Sequence, residues 1–275
     1  MGCHKIVTLI CFNVHTNYIN GISQMGNIYY QSSDIFAQSL RSIKNNMAHP
    51  LHKKLLAEAW GTFWIVFAGT GAIIVNDMSG AVSHLGISLI FGLVVCAMIY
   101  LFGNLSGAHF NPAVTIGLYL AQCISGKTIA PYILSQIAGA LIASIFLRLM
   151  FPIHTTLGAT IPTGSLAQSW VVEAMLTTAL MFVILTATTG VSKKRIPPEM
   201  SIGGVVALAA FFAGPISGAS MNPARSLGPA VVSGNIEVLW LYVTAPIFGA
   251  AIAVLICACS KERGCCSRQY TEGSL

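Results

Sequence analysis

Two segments of the chain carry the same polar chemistry. Ser106-Gly107-Ala108-His109-Phe110-Asn111-Pro112-Ala113 returns as Ser217-Gly218-Ala219-Ser220-Met221-Asn222-Pro223-Ala224. Asn is a favoured helix N-cap and Pro a favoured first helical residue. Each segment therefore predicts the start of a short helix, running into the apolar stretches Val114 to Ala121 and Leu227 to Val232. The side-chain amides of Asn111 and Asn222 can donate hydrogen bonds to a solute oxygen. A helix N-terminus carries about half a positive charge. Two of them meeting would disfavour cations, hydronium included, and let neutral solutes pass. Arg225 directly follows the second motif inside an apolar stretch. An arginine at membrane depth is expensive and is a functional candidate by default. Glu58 and Glu173 are carboxylates in similar surroundings. They could relay protons, or accept backbone N–H groups of the two repeated segments that would otherwise go unpaired. Their symmetric placement favours the second role. His109 could titrate as a gate, or be a packed polar residue at the cytoplasmic mouth. Asn104-Leu105-Ser106 matches a glycosylation acceptor but falls in an expected cytoplasmic loop.

The composition says what must position these groups. Of 275 residues, 55% are hydrophobic and only 8% charged, against about 25% charged in soluble domains. That argues against a soluble enzyme and against disorder. The net charge of +6 comes from few charges in all and gives no case for nucleic-acid binding. Six segments are long and apolar enough to span a bilayer: Leu55 to Val75, Leu85 to Phe102, Thr128 to Leu147, Leu166 to Val191, Met200 to Ile216 and Val238 to Cys259. Lys53, Lys54, Lys127, Lys193, Lys194, Arg195, Lys261, Arg263 and Arg268 flank alternate ends, while the loops Asn76 to His84 and Phe151 to Ser165 hold no Lys or Arg. The positive-inside rule then puts both termini in the cytoplasm, with Arg148 as the exception. Residues 1–46 are polar and mixed. They read either as a disordered tail or as sequence upstream of a natural start at Met47. Residues 47–262 form the expected membrane domain and 263–275 a cytoplasmic tail. The eight cysteines are scattered and predict mostly reduced thiols. Cys257, Cys259, Cys265 and Cys266 lack metal-ligand spacing, leaving palmitoylation as their option.

The repeat extends beyond the motifs. Glu58-Ala59 and Thr62 match Glu173-Ala174 and Thr177, and Gly139-Ala140 matches Gly249-Ala250. Each half has three spans, so the second enters from the opposite side: an inverted repeat, with a pathway expected at its interface. The predicted fold is an all-α membrane protein of six transmembrane helices and two re-entrant half-helices.

On these residues the chain resembles the major intrinsic proteins, the aquaporins and aquaglyceroporins, over about Lys53 to Cys259. The stretch Gly214 to Ala230 looks most like the nodulin-26-like branch. The resemblance implies a homotetramer with a pore in each subunit and a selectivity filter formed by Phe91, Ala210, Ala219 and Arg225. It implies neither an enzyme nor a cofactor nor a metal. Water-selective channels of the family usually have histidine where Ala210 stands. Two alanines leave a wider, apolar wall suited to glycerol, urea, ammonia or neutral metalloid hydroxides. Ser226, where glycerol facilitators usually have Asp, and Tyr242 both depart from those facilitators. A strictly water-selective channel and a coupled secondary transporter are the alternatives. An intramembrane hydrolase lacks its motifs, with neither Gly-x-Ser-x-Gly nor His-Glu-x-x-His in place.

Overall fold

The computed structural model describes residues 49–188 and 196–259. Among them are eight helices: α1 (Leu51–Ser79), α2 (Ser83–Ser106), α3 (Pro112–Leu120), α4 (Gly126–Met150), α5 (Leu166–Thr188), α6 (Pro198–Ser217), α7 (Pro223–Ser233) and α8 (Leu239–Cys259). All but α3 and α7 are long and apolar enough to cross a membrane. They coincide with the six predicted spans and overrun most of them by a few residues. The two exceptions have nine and eleven residues. At 1.5 Å per residue they reach about 14 and 17 Å, half a bilayer core. The basic loop of residues 193–195, the tail of residues 1–46 and the tail from residue 263 lie outside the described residues.

Small residues set how closely the helices approach. Without water to drive association, membrane helices gain from close backbone packing. A Cβ on Gly139 of α4 would collide with the Ala59 carbonyl of α1. The repeat partner behaves alike: a Cβ on Gly249 of α8 would collide with the Ala174 carbonyl of α5. Where α2 crosses α6, Gly92 and Gly203 face one another, and a Cβ on either would lie within 2.6 Å of the other's carbonyl oxygen. These two glycines are separated by the same interval as Asn111 and Asn222. The pseudo-twofold axis of the repeat therefore passes between them.

The short helices are lodged against the opposite half. Gly117 of α3 lies against Met181 of α5 and Ala250 of α8, where a Cβ would come 2.8 Å from Met181 Sδ. Gly228 of α7 lies against α4, 2.6 Å from the Ala140 carbonyl oxygen on the same measure. The largest buried cluster joins Phe91, Ala113, Val114, Met181, Leu185, Val206 and Ala253, drawn from five helices. Outward faces carry exposed Leu93, Leu134, Leu208, Phe212 and Leu255, which suits a hydrocarbon surround rather than water.

Candidate functional site

The two repeated segments fold as matching bends. Gly107, Ala108 and Phe110 have φ of 90°, 51° and 50°; Gly218, Ala219 and Met221 have 84°, 43° and 53°. Residues with a Cβ rarely occupy this region, and each such residue costs of order 1–3 kcal/mol. The two glutamates hold the bends in place. Glu58 Oε1 accepts from Ser106 Oγ at 2.7 Å and from the His109 backbone N–H at 3.0 Å. Its Oε2 accepts from the Phe110 N–H at 2.7 Å and from Gln136 Nε2 at 2.8 Å. Glu173 repeats the pattern with Ser217 Oγ (2.7 Å), Ser220 N–H (2.8 Å) and Met221 N–H (2.8 Å). Both carboxylates are fully buried, with their acceptor capacity turned on backbone donors and hydroxyls.

Beyond each bend an asparagine caps a half-helix. Asn111 Oδ1 accepts from the Ala113 N–H at 2.9 Å, and its Nδ2 donates to the Met221 carbonyl at 2.7 Å. Asn222 Oδ1 accepts from the Ala224 N–H at 3.0 Å, and its Nδ2 donates to the Phe110 carbonyl at 2.9 Å. The cross-bonds are reciprocal about the pseudo-twofold axis. They bring the N-termini of α3 and α7 together with Pro112 and Pro223 in first position. An amide nitrogen carries two hydrogens. One from each asparagine holds the opposite half, and the other is left for a passing acceptor.

Arg225 lies in the first turn of α7 and is 2% exposed. A cation there opposes the helix dipole, so it needs partners. Its Nη1 donates to the Gly158 carbonyl at 3.1 Å, and its Cζ lies 5.0 Å from the centre of the Phe91 ring, within cation–π range. Its Nε is buried with no partner among the described residues. The Phe91 ring fits because Gly69 has no Cβ; one there would overlap the ring. Ala210 on α6 and Ala219 in the second bend are buried as well, each at 7% exposure. The structure thus joins Arg225 directly to Phe91, and puts Ala219 one residue before a backbone donor to Glu173.

Residues 45–257 match the family model described as major intrinsic protein. The chain belongs to the major intrinsic protein family. It is 45% identical over 206 residues to "Aquaporin NIP1-4" of Oryza sativa subsp. japonica, covering 74% of this chain and 76% of that one. It is 42% identical over 203 residues to "Aquaporin NIP1-1" of Zea mays, covering 73% and 72%. In fold it is similar to the aquaglyceroporin from Plasmodium falciparum, with a TM-score of 0.69 and 24% identity over 75% of this chain and 95% of that one.

Several supporting groups of this major intrinsic protein escaped the sequence reading. Tyr132 OH donates to the Ser106 carbonyl at 2.8 Å, and Tyr242 OH to the Ser217 carbonyl at 2.6 Å. Both tyrosines stand seven residues before the glycine of their half, Gly139 or Gly249, so the repeat already contained that signal. Beneath the caps the halves diverge. Thr115 Oγ1 meets His109 Nδ1 at 3.1 Å and Gln136 Nε2 at 3.0 Å. Its counterpart Ser226 meets Ser220 Oγ at 2.5 Å and Thr160 Oγ1 at 2.8 Å. Gly158 has no sequence signal, because its contribution is a backbone carbonyl.

Four expectations need correction or completion. His109 is buried within this network, packed as a polar residue rather than free to titrate as a gate. Asn104-Leu105-Ser106 is the last turn of α2, not a loop. Arg148 Nη1 donates to the Pro152 and His154 carbonyls at 3.2 and 2.8 Å, so it closes the turn after α4. Cys257 is disulfide-bonded, whereas Cys96 is a free thiol.

Proposed function

We propose that this chain is a passive channel for water and small uncharged solutes, with the path running past Asn111 and Asn222 and narrowing at Arg225, Phe91, Ala210 and Ala219. The observation that carries the reading is the meeting of two half-helix N-termini, each with an amide hydrogen to spare. Pro112, Ala113, Pro223 and Ala224 set the first turns of those helices. A solute exchanges its water partners for these donors, while a cation meets positive potential from both helix ends and from Arg225. The buried glutamates are spent on the bends and serve as loop anchors, which argues against a proton-coupled transporter. With alanine at both 210 and 219, the narrowing admits solutes with a carbon edge, such as glycerol or urea. The relatives, aquaporins by name, support the same class.

The finer assignments belong to the same proposal. Both termini are cytoplasmic, the channel domain is residues 47–262, the assembly is a homotetramer, and the membrane is the plasma or cell inner membrane. Stopped-flow light scattering on proteoliposomes, comparing water, glycerol, urea and ammonia, tests the function. Water flux with at least one of the other solutes, independent of pH and sodium gradients, is the expected result. Water flux alone would make the channel strictly water-selective. Gradient-coupled uptake would make it a secondary transporter.

A further inference from the structure

The C-terminal half of α6 contains a break in its own ladder. Pro215 lies inside the helix and has no N–H, so the carbonyl four residues earlier, that of Phe211, loses its intrahelical donor. The remaining carbonyls at this end are accounted for. Gly214 accepts from the Gly218 N–H at 3.0 Å, Pro215 from Thr163 Oγ1 at 2.6 Å, Ile216 from the Thr163 N–H at 3.1 Å, and Ser217 from Tyr242. The Phe211 carbonyl is taken by a side chain from another helix: His84 Nε2 lies 2.7 Å from it. A carbonyl can only accept, so Nε2 carries the hydrogen. The site is shaped for the imidazole. It stacks on the Phe211 ring with centroids 5.5 Å apart, and a Cβ on Gly214 would come within 2.9 Å of its Cε1.

This bond has a definite place in the antiparallel pair α2 and α6. Gly92 packs on Gly203, and eight residues further out along both helices His84 bonds Phe211. At 1.5 Å per residue the two fastenings stand about 12 Å apart. Phe91 adjoins the first and Ala210 adjoins the second. Helical side chains lean toward their own N-terminus, so in this antiparallel pair Phe91 and Ala210 lean toward each other. The repeat does not duplicate the device. By the interval that relates Asn111 to Asn222, the counterpart of Pro215 is Asn104, which has an N–H.

We propose that His84 is a positioning residue of the selectivity filter, fastening the carbonyl that Pro215 frees and so fixing the position of Ala210 relative to Phe91. The proposal rests on the reading of those residues as the narrowing. It makes a chemical demand: His84 matters only while Pro215 withholds its N–H. The test is a cycle of full-length variants in proteoliposomes, His84→Ala, Pro215→Ala and the double variant, with His84→Gln as the conservative replacement. In the wild-type background His84→Ala lowers the glycerol-to-water permeability ratio by about fivefold, the scale of one lost hydrogen bond. In the Pro215→Ala background, where the helix supplies its own donor, the same change moves the ratio by less than about twofold. His84→Gln, whose amide can still donate, keeps the ratio. The thermal midpoint in detergent follows the same cycle and reports on the fastening without reference to transport. Equal midpoint shifts in both backgrounds overturn the fastening. A coupled midpoint with an unmoved permeability ratio overturns the positioning role. If the wild type passes water and no glycerol, it is the wide-filter reading that fails. The positioning role is then judged on water permeability alone, which must fall in His84→Ala and recover in the double variant.

Discussion

Ala210 is the residue at which chemistry and width are hardest to separate. Its side chain is a methyl group, buried at the turn before Phe211. On the proposed path, a methyl group at this position neither narrows the route to a single water molecule nor adds a donor opposite Arg225. Ala210→His supplies both at once. The expected outcome is a fall of glycerol permeability by at least about tenfold, with water reduced by less than about threefold. Those factors correspond to about 1.4 and 0.7 kcal/mol of added barrier. Proteoliposome swelling and shrinking rates measure both. An equal loss for the two solutes would mean that Ala210 does not set the width.

At the scale of elements, adjacent glycines on α6 separate close packing from mere permissiveness. A Cβ on Gly203 would enter the Gly92 carbonyl, whereas a Cβ on Gly204 meets nothing within 4 Å. Gly203→Ala should therefore cost about 1–3 kcal/mol and lower the thermal midpoint in detergent. Gly204→Ala should leave it unchanged, or raise it through the roughly 1 kcal/mol better helix propensity of alanine. The elements themselves were legible in the sequence. Apolar runs of suitable length with at most one charge gave the spans, and Asn-Pro gave the start of each half-helix, because capping is a local property. The pairing of glutamate with the bends followed from their symmetric placement. Tertiary partners were not legible. Gly158 reaches Arg225 through a carbonyl, His84 reaches Phe211 across 127 positions of chain, and Gln136 has Pro246 as its counterpart in the repeat. No spacing rule reports a backbone acceptor or a partner found only in three dimensions.

For the whole molecule the decisive quantity is the field along the pore. On the proposed path, two half-helix N-termini and one buried guanidinium would place positive potential on the same axis. A unit charge at about 4 Å and an effective dielectric near 20 is worth roughly 4 kcal/mol, an upper scale because water in the pore screens it. Arg225→Val removes the full charge and leaves the two helix ends. The expected outcome is a slow leak of small cations, seen as current in a planar bilayer, with neutral solute flux preserved or increased. Zero current in both proteins would assign ion exclusion to the helix ends and desolvation, and leave Arg225 with shape and solute contacts alone.

The lodging of each short helix in the other half has a consequence for the order in which the protein is made. On the ribosome α3 is finished before either α5 or α8, the helices that receive Gly117. The start of α8 emerges roughly 120 residues later, about 6–24 s at the usual elongation rate. For most of that interval the first half has an amide cap with no carbonyl opposite it, and throughout it a short helix with an incomplete socket. α7 has no such wait, since α4 is already in place when it arrives. Neither half is then an autonomous folding unit: the nascent first half must be sheltered, by the insertion machinery or by its own provisional contacts, until translation delivers its complement.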